Sequence, residues 1–154
     1  QVKVLGVPPR QVSTLPDGTY RVQNTIEDVQ TAGLDNASGL TGVWTLRVAN
    51  GSYDLRCRVE LDPHDCGNSD STGPLELGDL RGRGNVAWFV SRPDRMSDVT
   101  GCQLPVSNTN GGHCRPEETY VLTWSLTGNR LAFSQPAGAA PNHQYMLRPW
   151  TRIQ

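Results

Sequence analysis

Four cysteines are the residues of this 154-residue chain with the clearest capacity for covalent chemistry. Cys57 and Cys66 flank one loop, and Cys102 and Cys114 flank a second loop rich in Gly, Asn and Ser. If neighbours pair, each disulfide closes a short loop and stabilises the fold by about 2 to 3 kcal/mol, mainly by restricting the unfolded chain. Such pairing predicts an oxidising compartment, although the sequence positions alone allow more than one connectivity.

Zinc binding is the sharper alternative, because His64 and His113 lie close to Cys66 and Cys114 and zinc accepts both ligand types. The spacing argues against it, since the chain has no C-x-x-C or H-x-x-x-H and the intervals exceed those of usual zinc motifs. We therefore predict two disulfides and no metal site, with zinc and free thiols as the alternatives.

Few residues offer a conventional catalytic apparatus. The three histidines, including His143, fall in predicted loops, where solvated side chains are expected. The chain has no G-x-S-x-G, phosphate loop or H-E-x-x-H, and the glycine-rich "GDLRGRGN" stands between two predicted strands. No cofactor is predicted. Pericyclic ring closure makes weaker demands, because an apolar cavity with one or two hydrogen-bond donors can suffice by orienting the substrate.

Charge and hydropathy exclude two classes of partner. Lys plus Arg number 14 against 15 Asp plus Glu, so no field of one sign is expected to attract nucleic acid or an anionic membrane. No apolar run of about 18 residues occurs, so no membrane span is predicted. The chain starts at Gln1 rather than methionine, which indicates a processed or trimmed product whose signal peptide or lipid anchor would lie outside this sequence.

The elements that would position these residues form one predicted domain. Residues 1–16 contain three prolines and no sustained period, and we interpret them as a strap or linker preceding a domain over residues 17–154. One helix is predicted near residues 25–33, because Thr25 and Asp28 form a capping box and Gly33 is a natural stop.

From residue 42 onward, apolar and polar residues alternate with a period of two in segments separated by turn residues. This pattern predicts antiparallel hairpins. Asn50-Gly51, "RGRG" and Thr127-Gly128-Asn129 separate three pairs of strands, and the first of these turns favours the two-residue type I′ geometry. With "TYRV" and the last strand "QYMLRPWTRI", about eight strands result. An all-β, antiparallel up-and-down barrel is therefore predicted, because closure removes the unpaired edges.

Alternation also predicts which side chains line the barrel. In the first hairpin Trp44 and Tyr53 fall on the apolar face, and Arg47 and Arg56 fall on the polar face. We expect that polar face to be a solvated, salt-bridged surface, and an anion-binding patch is the alternative. The same rule, applied strand by strand, gives an inward set that a ligand could contact: Trp44, Tyr53, Trp88 with Val86 and Val90, Tyr120, Trp124, and Tyr145 or Trp150. A core filled by these aromatic side chains is the alternative.

The order of several phrases resembles the lipocalin-like (calycin-type) barrel domain that follows the solute-binding module in secreted bacterial transport proteins. The phrases are "DGTYRV", "TIEDVQTAGL", "GVWTL", "NGSYDLRC", "ETYVLTWSLTGNRLAFS" and "LRPWTRI", and the likeness covers about residues 17–153. Trp44 with Arg148 or Arg152 is similar to the lipocalin pairing of a tryptophan beneath an arginine at one end of the barrel.

The resemblance implies a secreted or cell-surface bacterial protein that binds a small apolar molecule in the lumen, with a solute-binding or transport partner. Two alternatives stand beside this hypothesis. Small lipocalin-like barrels include cyclases that perform Diels-Alder type ring closures in natural-product biosynthesis, and a strap over residues 1–16 could cap such a lumen. The other alternative is a purely structural accessory domain.

Overall fold

The structure is a computed structural model of the chain, and it describes residues 7–31, 41–59, 66, 75–92, 119–136 and 148–154. Within these residues one helix, α1 (Ile26–Thr31), follows the first of eight strands. The strands are β1 (Gly18–Asn24), β2 (Gly42–Ala49), β3 (Ser52–Arg58), β4 (Glu76–Arg83), β5 (Val86–Ser91), β6 (Thr119–Thr127), β7 (Arg130–Ser134) and β8 (Trp150–Arg152).

The eight strands form a closed antiparallel barrel in which each strand pairs with its neighbours in sequence, and β8 pairs with β1. The all-β, up-and-down barrel predicted from the sequence is confirmed. Tight turns join β2 to β3, β4 to β5 and β6 to β7 at one end, here called the hairpin end. The opposite end, where β1 leads into α1, is called the helix end; the segments linking β3 to β4, β5 to β6 and β7 to β8 start and finish there.

The Asn50-Gly51 turn has the backbone that its sequence predicts. Asn50 has a φ of 52° and Gly51 a φ of 76°, so both central residues are left-handed, as a two-residue type I′ hairpin requires. The second hairpin differs from the prediction, because β4 runs through most of the "RGRG" segment and the turn is Gly84-Asn85. The local sequence alone does not distinguish a glycine that pairs within a strand from a glycine in a turn.

The capping box predicted for α1 is present. The backbone N–H of Thr25 donates to Asp28 Oδ2 at 2.9 Å, and the backbone N–H of Asp28 donates to Thr25 Oγ1 at 3.2 Å. The bond from the Thr25 backbone holds the pKa of Asp28 below its ordinary value, and the ion pair with Arg148 acts in the same direction against partial burial. The helix is confirmed over Ile26–Thr31, and the predicted residues 32 and 33 lie outside the described residues.

The strand register defines which side chains point into the barrel. Leu46 pairs with Tyr20 and Leu55, and Leu80 pairs with Phe89, and each of these side chains is at most 2% exposed. The hydrophobic core is the continuous inner face of the barrel, which includes Tyr20, Val22, Trp44, Leu46, Val48, Tyr53, Leu55, Cys57, Leu80, Ala87, Phe89, Tyr120, Leu122, Leu131, Phe133 and Trp150.

On β5 the predicted face is wrong. Phe89 pairs with Leu80 and Tyr120 on the inner face, so Trp88 and its neighbours Val86 and Val90 have the opposite parity and lie on the outer wall. Trp88 is nevertheless only 3% exposed. The strand "VAWFVS" is apolar on both sides, so alternation alone does not identify the inner face.

The strap predicted before residue 17 lies against the hairpin end over its described part. Ser13 N–H donates to the Leu80 carbonyl at 3.2 Å, and Gly82 N–H donates to the Gln11 carbonyl at 2.9 Å, so the strap extends the sheet beside β4. A Cβ on Gly82 would lie 2.5 Å from Ser13 Cα, which explains why glycine is needed at this approach. Leu15 then enters the core and is 2% exposed.

An arginine covers an aromatic ring at the hairpin end, but the ring belongs to Tyr20. The Arg152 guanidinium carbon lies 5.9 Å from the ring centre of Tyr20, whose hydroxyl donates to the Pro16 carbonyl at 2.7 Å. Burial raises the pKa of Tyr20, and the positive charge of Arg152 opposes that shift. The two arginines expected to cover Trp44 have other partners, because Arg148 forms an ion pair with Asp28 and Arg152 lies over Tyr20. The register places Trp44 toward the helix end of the barrel, away from Arg152.

The first predicted disulfide is present. Cys57 and Cys66 are bonded, with their Cα atoms 5.7 Å apart, and the Cys66 backbone N–H donates to the Thr41 carbonyl at 3.0 Å. Cys57 points into the core at the end of β3, so the bond attaches the following segment to the helix end of the barrel. Cys102 and Cys114 lie outside the described residues, and their pairing stays a prediction.

Removal of this bond in a Cys57→Ser/Cys66→Ser variant is expected to lower the free energy of unfolding by about 2 to 3 kcal/mol, because the bond restricts the unfolded chain. The loss is modest because the loop that the bond closes is short. Urea unfolding followed by circular dichroism measures the change. The reference is the wild-type protein with the bond between Cys57 and Cys66 intact. A variant that unfolds at the wild-type urea concentration would contradict the structural role of the bond.

Candidate functional site

The inner face of the barrel changes character from one end to the other. At the hairpin end the inward residues include the aliphatic side chains of Val48, Ala87 and Leu131. On four strands, β1, β4, β5 and β6, the inward-facing residue nearest the helix end is polar. These residues, here called the polar ring, are Asn24, Glu76, Ser91 and Tyr120.

All four residues of the polar ring are buried. Their exposed fractions are between 2% and 5%. Burial of polar groups is costly unless they are hydrogen-bonded, and each of the four has a polar or ring contact in the structure. The polar ring is therefore a desolvated polar surface at one end of an apolar interior.

Aromatic side chains form the floor beneath the polar ring. The Phe89 ring is stacked on that of Tyr120, with centroids 4.9 Å apart and planes inclined by 4°. Tyr53 and Phe133 meet Phe89 edge-on at 5.0 and 5.9 Å, and Trp150 meets Phe133 at 6.5 Å. These contacts fill the middle of the barrel with rings in favourable geometry.

A carboxyl group and a phenol connect the floor to the polar ring. The Tyr53 hydroxyl donates to Glu76 Oε1, and both side chains are 2% exposed. Gly78 leaves room for this arrangement, because a Cβ there would lie 2.8 Å from Tyr53 Cε1 and 2.1 Å from the Val90 carbonyl oxygen. The pair places one acidic group and one phenol in the buried interior of the barrel, where hydrogen bonds are stronger than in water.

The predicted site residues divide into three groups. Trp44, Tyr53 and Tyr120 are inward and buried, as expected, and Trp124 faces inward but is only partly buried toward the hairpin end. Trp88 lies on the outer wall. Tyr145 lies outside the described residues, whereas its alternative, Trp150, is fully buried in the core.

Four candidate site residues were not predicted, namely Phe89 and the polar residues Asn24, Glu76 and Ser91. Phe89 was missed because the face of β5 was inverted. Asn24, Glu76 and Ser91 were missed because isolated polar residues near strand ends ordinarily face solvent. The spacing Glu76, Gly78, Leu80 does have the required period of two, and the apolar Leu80 indicates the inner face.

The described residues contain neither a cluster of metal ligands nor a helix suited to span a membrane. Within the described ranges, no cluster of three or more His, Cys, Asp or Glu side chains is arranged to hold a metal ion. Cys57 and Cys66 are bonded to each other, so neither supplies a thiolate ligand, and the three histidines lie outside the described residues. No helix in the described part of the chain combines the length and apolar character needed to cross a bilayer.

Comparisons of the chain with protein-family models, with curated proteins and with solved structures found no match in any of the three.

Proposed function

We propose that this chain is a lipocalin-like binding module that holds a small, mostly apolar molecule at the helix end of its lumen. The observation that carries the proposal is the polar ring above an aromatic floor, in a barrel whose other end is covered by tight turns and the strap. Broad apolar surfaces with a few fixed polar groups are the usual composition of small-molecule sites.

The proposed orientation of the ligand follows from the change in polarity along the inner face, which is polar at the helix end and apolar below it. The apolar body of the ligand contacts the rings of Phe89 and Tyr120, and its polar end faces Ser91 and Asn24. The ligand enters at the helix end, because the strap residue Leu15 occupies the core beneath the hairpin end. The disulfide between Cys57 and Cys66 supports a secreted or cell-surface location, where a solute-binding or transport partner could receive the ligand.

N-phenyl-1-naphthylamine, an apolar dye that fluoresces on transfer from water, tests the binding site. Wild-type protein is expected to enhance its fluorescence saturably with one site. Ser91→Trp fills the polar ring and is expected to weaken binding by about tenfold or more, a loss of about 1.4 kcal/mol for each factor of ten. Fluorescence titration measures both affinities.

Ser134→Trp is the matched control, because Ser134 is exposed on the outer wall of β7 and should leave the affinity unchanged. Circular dichroism verifies that each variant is folded, and Ser91→Leu is the second, smaller obstruction if tryptophan prevents folding. Equal binding by the wild type and both Ser91 variants, or no saturable binding, would contradict the proposal.

A further inference from the structure

The outer wall of the barrel carries a row of arginines that crosses five adjacent strands. Register pairs Arg130 on β7 with Thr151 on β8, Thr151 with Arg21 on β1, Arg21 with Thr45 on β2, and Thr45 with Arg56 on β3. This set, Arg130, Thr151, Arg21, Thr45 and Arg56, is here called the arginine row. Because adjacent strands lie about 4.8 Å apart, successive arginines of the row are about 10 Å apart.

The positive charge of the arginine row is mostly uncompensated. Arg21, Arg56 and Arg130 are exposed. Arg56 donates to both carboxylate oxygens of Asp54 at 2.9 Å, but among the described residues no carboxylate forms an ion pair with Arg21 or Arg130. The overall charge of the chain is only −1, so this positive charge is confined to a band around part of the barrel wall.

A depression of about 240 Å³ adjoins the arginine row on the outer wall. Its lining comprises Arg47, Ala49, Ser52, Tyr53, Asp54, Leu77 and Gly78. Ala49 and Leu77 supply apolar surface, and Arg47 supplies a further exposed cation. A cavity of about 150 Å³ can hold one six-membered ring, so the depression has room for a single ring-sized group.

Two features of this surface select the class of partner. The row crosses five of the eight strands of a closed barrel, so it follows a convex wall that a flat membrane can contact only along one side. The outward residues described on β7, β8, β1, β2 and β3 include no aromatic side chain, whereas single-stranded nucleic acids are generally held by stacking their bases on such rings. A flexible linear polyanion without bases fits both features.

We propose that the arginine row and the adjoining depression bind an acidic polysaccharide. Carboxylate or sulfate groups along the polymer pair with Arg21 and Arg130, and the depression holds one sugar ring with its apolar face toward Ala49 and Leu77. Guanidinium groups suit this role because they make bidentate hydrogen bonds to carboxylates and are always charged. This site is separate from the lumen and independent of the function proposed there.

The probe is a uronate oligosaccharide prepared from alginate, titrated into the full chain by isothermal calorimetry. Arg21→Gln/Arg130→Gln is expected to weaken binding by about tenfold, and Ala49→Trp, which fills the depression, is expected to weaken it to a similar extent. Binding should also fall steeply toward about 1 M salt, where the screening length is only about 3 Å.

Arg10→Gln/Arg83→Gln is the matched control, because it removes the same charge from exposed arginines beside β4 and should retain wild-type affinity. Neutral dextran, single-stranded oligothymidylate, polyglutamate and vesicles containing anionic lipid are the competing probes. The proposal is overturned if the two double variants bind the uronate equally, if the wild type does not bind it, or if a competing probe binds more tightly at the arginine row.

Discussion

Replacement of Phe89 with alanine is expected to lower the free energy of unfolding by about 3 to 5 kcal/mol. The Phe89 side chain is fully buried and contacts the rings of Tyr53, Tyr120 and Phe133 at centroid distances of 5.0, 4.9 and 5.9 Å. Its loss removes the central ring of the aromatic floor and leaves a cavity that the closed sheet cannot readily collapse to fill. Equilibrium unfolding in urea measures the change.

Val86→Ala is the matched control, because Val86 lies on the same strand but faces outward and is partly exposed. Its expected cost is about 1 kcal/mol or less. The assignment of the inner face of β5 would be contradicted if Val86→Ala destabilised the protein more than Phe89→Ala.

Leu15→Ala is expected to lower the free energy of unfolding by about 2 to 5 kcal/mol, which is a large effect for a residue outside the barrel strands. Leu15 is 2% exposed and belongs to the core, and the backbone pairing of Ser13 with Leu80 and of Gln11 with Gly82 holds it there. The variant should also release the strap, so limited proteolysis is expected to cleave before residue 17 faster than in the wild type. Mass spectrometry of the fragments identifies the cut.

Val7→Ala provides the comparison, since Val7 is 71% exposed and its truncation should change stability by no more than about 0.5 kcal/mol. Unchanged stability and unchanged proteolysis of Leu15→Ala would show that the strap does not close the hairpin end. The boundary of the barrel domain at residue 17, which the sequence predicts, would then be the correct limit of the folded unit.

The parts of the fold that the sequence predicts are those determined by local interactions. Asn50-Gly51 specifies its own turn through left-handed backbone at both positions, and Thr25 with Asp28 specifies the start of α1 through reciprocal hydrogen bonds. Strands that alternate clearly, such as β2 and β3, also reveal their inner faces, since a one-residue slip of either strand would turn Trp44 or Tyr53 outward.

The predictions that were wrong or missing concern residues whose environment is set by distant parts of the chain. Trp88 and Phe89 are both buried, so composition does not distinguish the inner face of β5 from the outer wall. Glu76 is buried because Tyr53 donates to it from the neighbouring strand, and no local pattern encodes that contact. The pairing of Arg152 with Tyr20 likewise joins the two ends of the chain.

The central claim is that the helix end of the lumen binds an apolar molecule between the polar ring and the aromatic floor. Isotope-filtered nuclear Overhauser spectra of the labelled protein saturated with N-phenyl-1-naphthylamine test it most directly. We predict contacts from the dye to the rings of Phe89 and Tyr120 and no contacts to Leu126 or Leu131 at the hairpin end. Contacts confined to the outer wall, at Trp88 or Leu77, would contradict the claim.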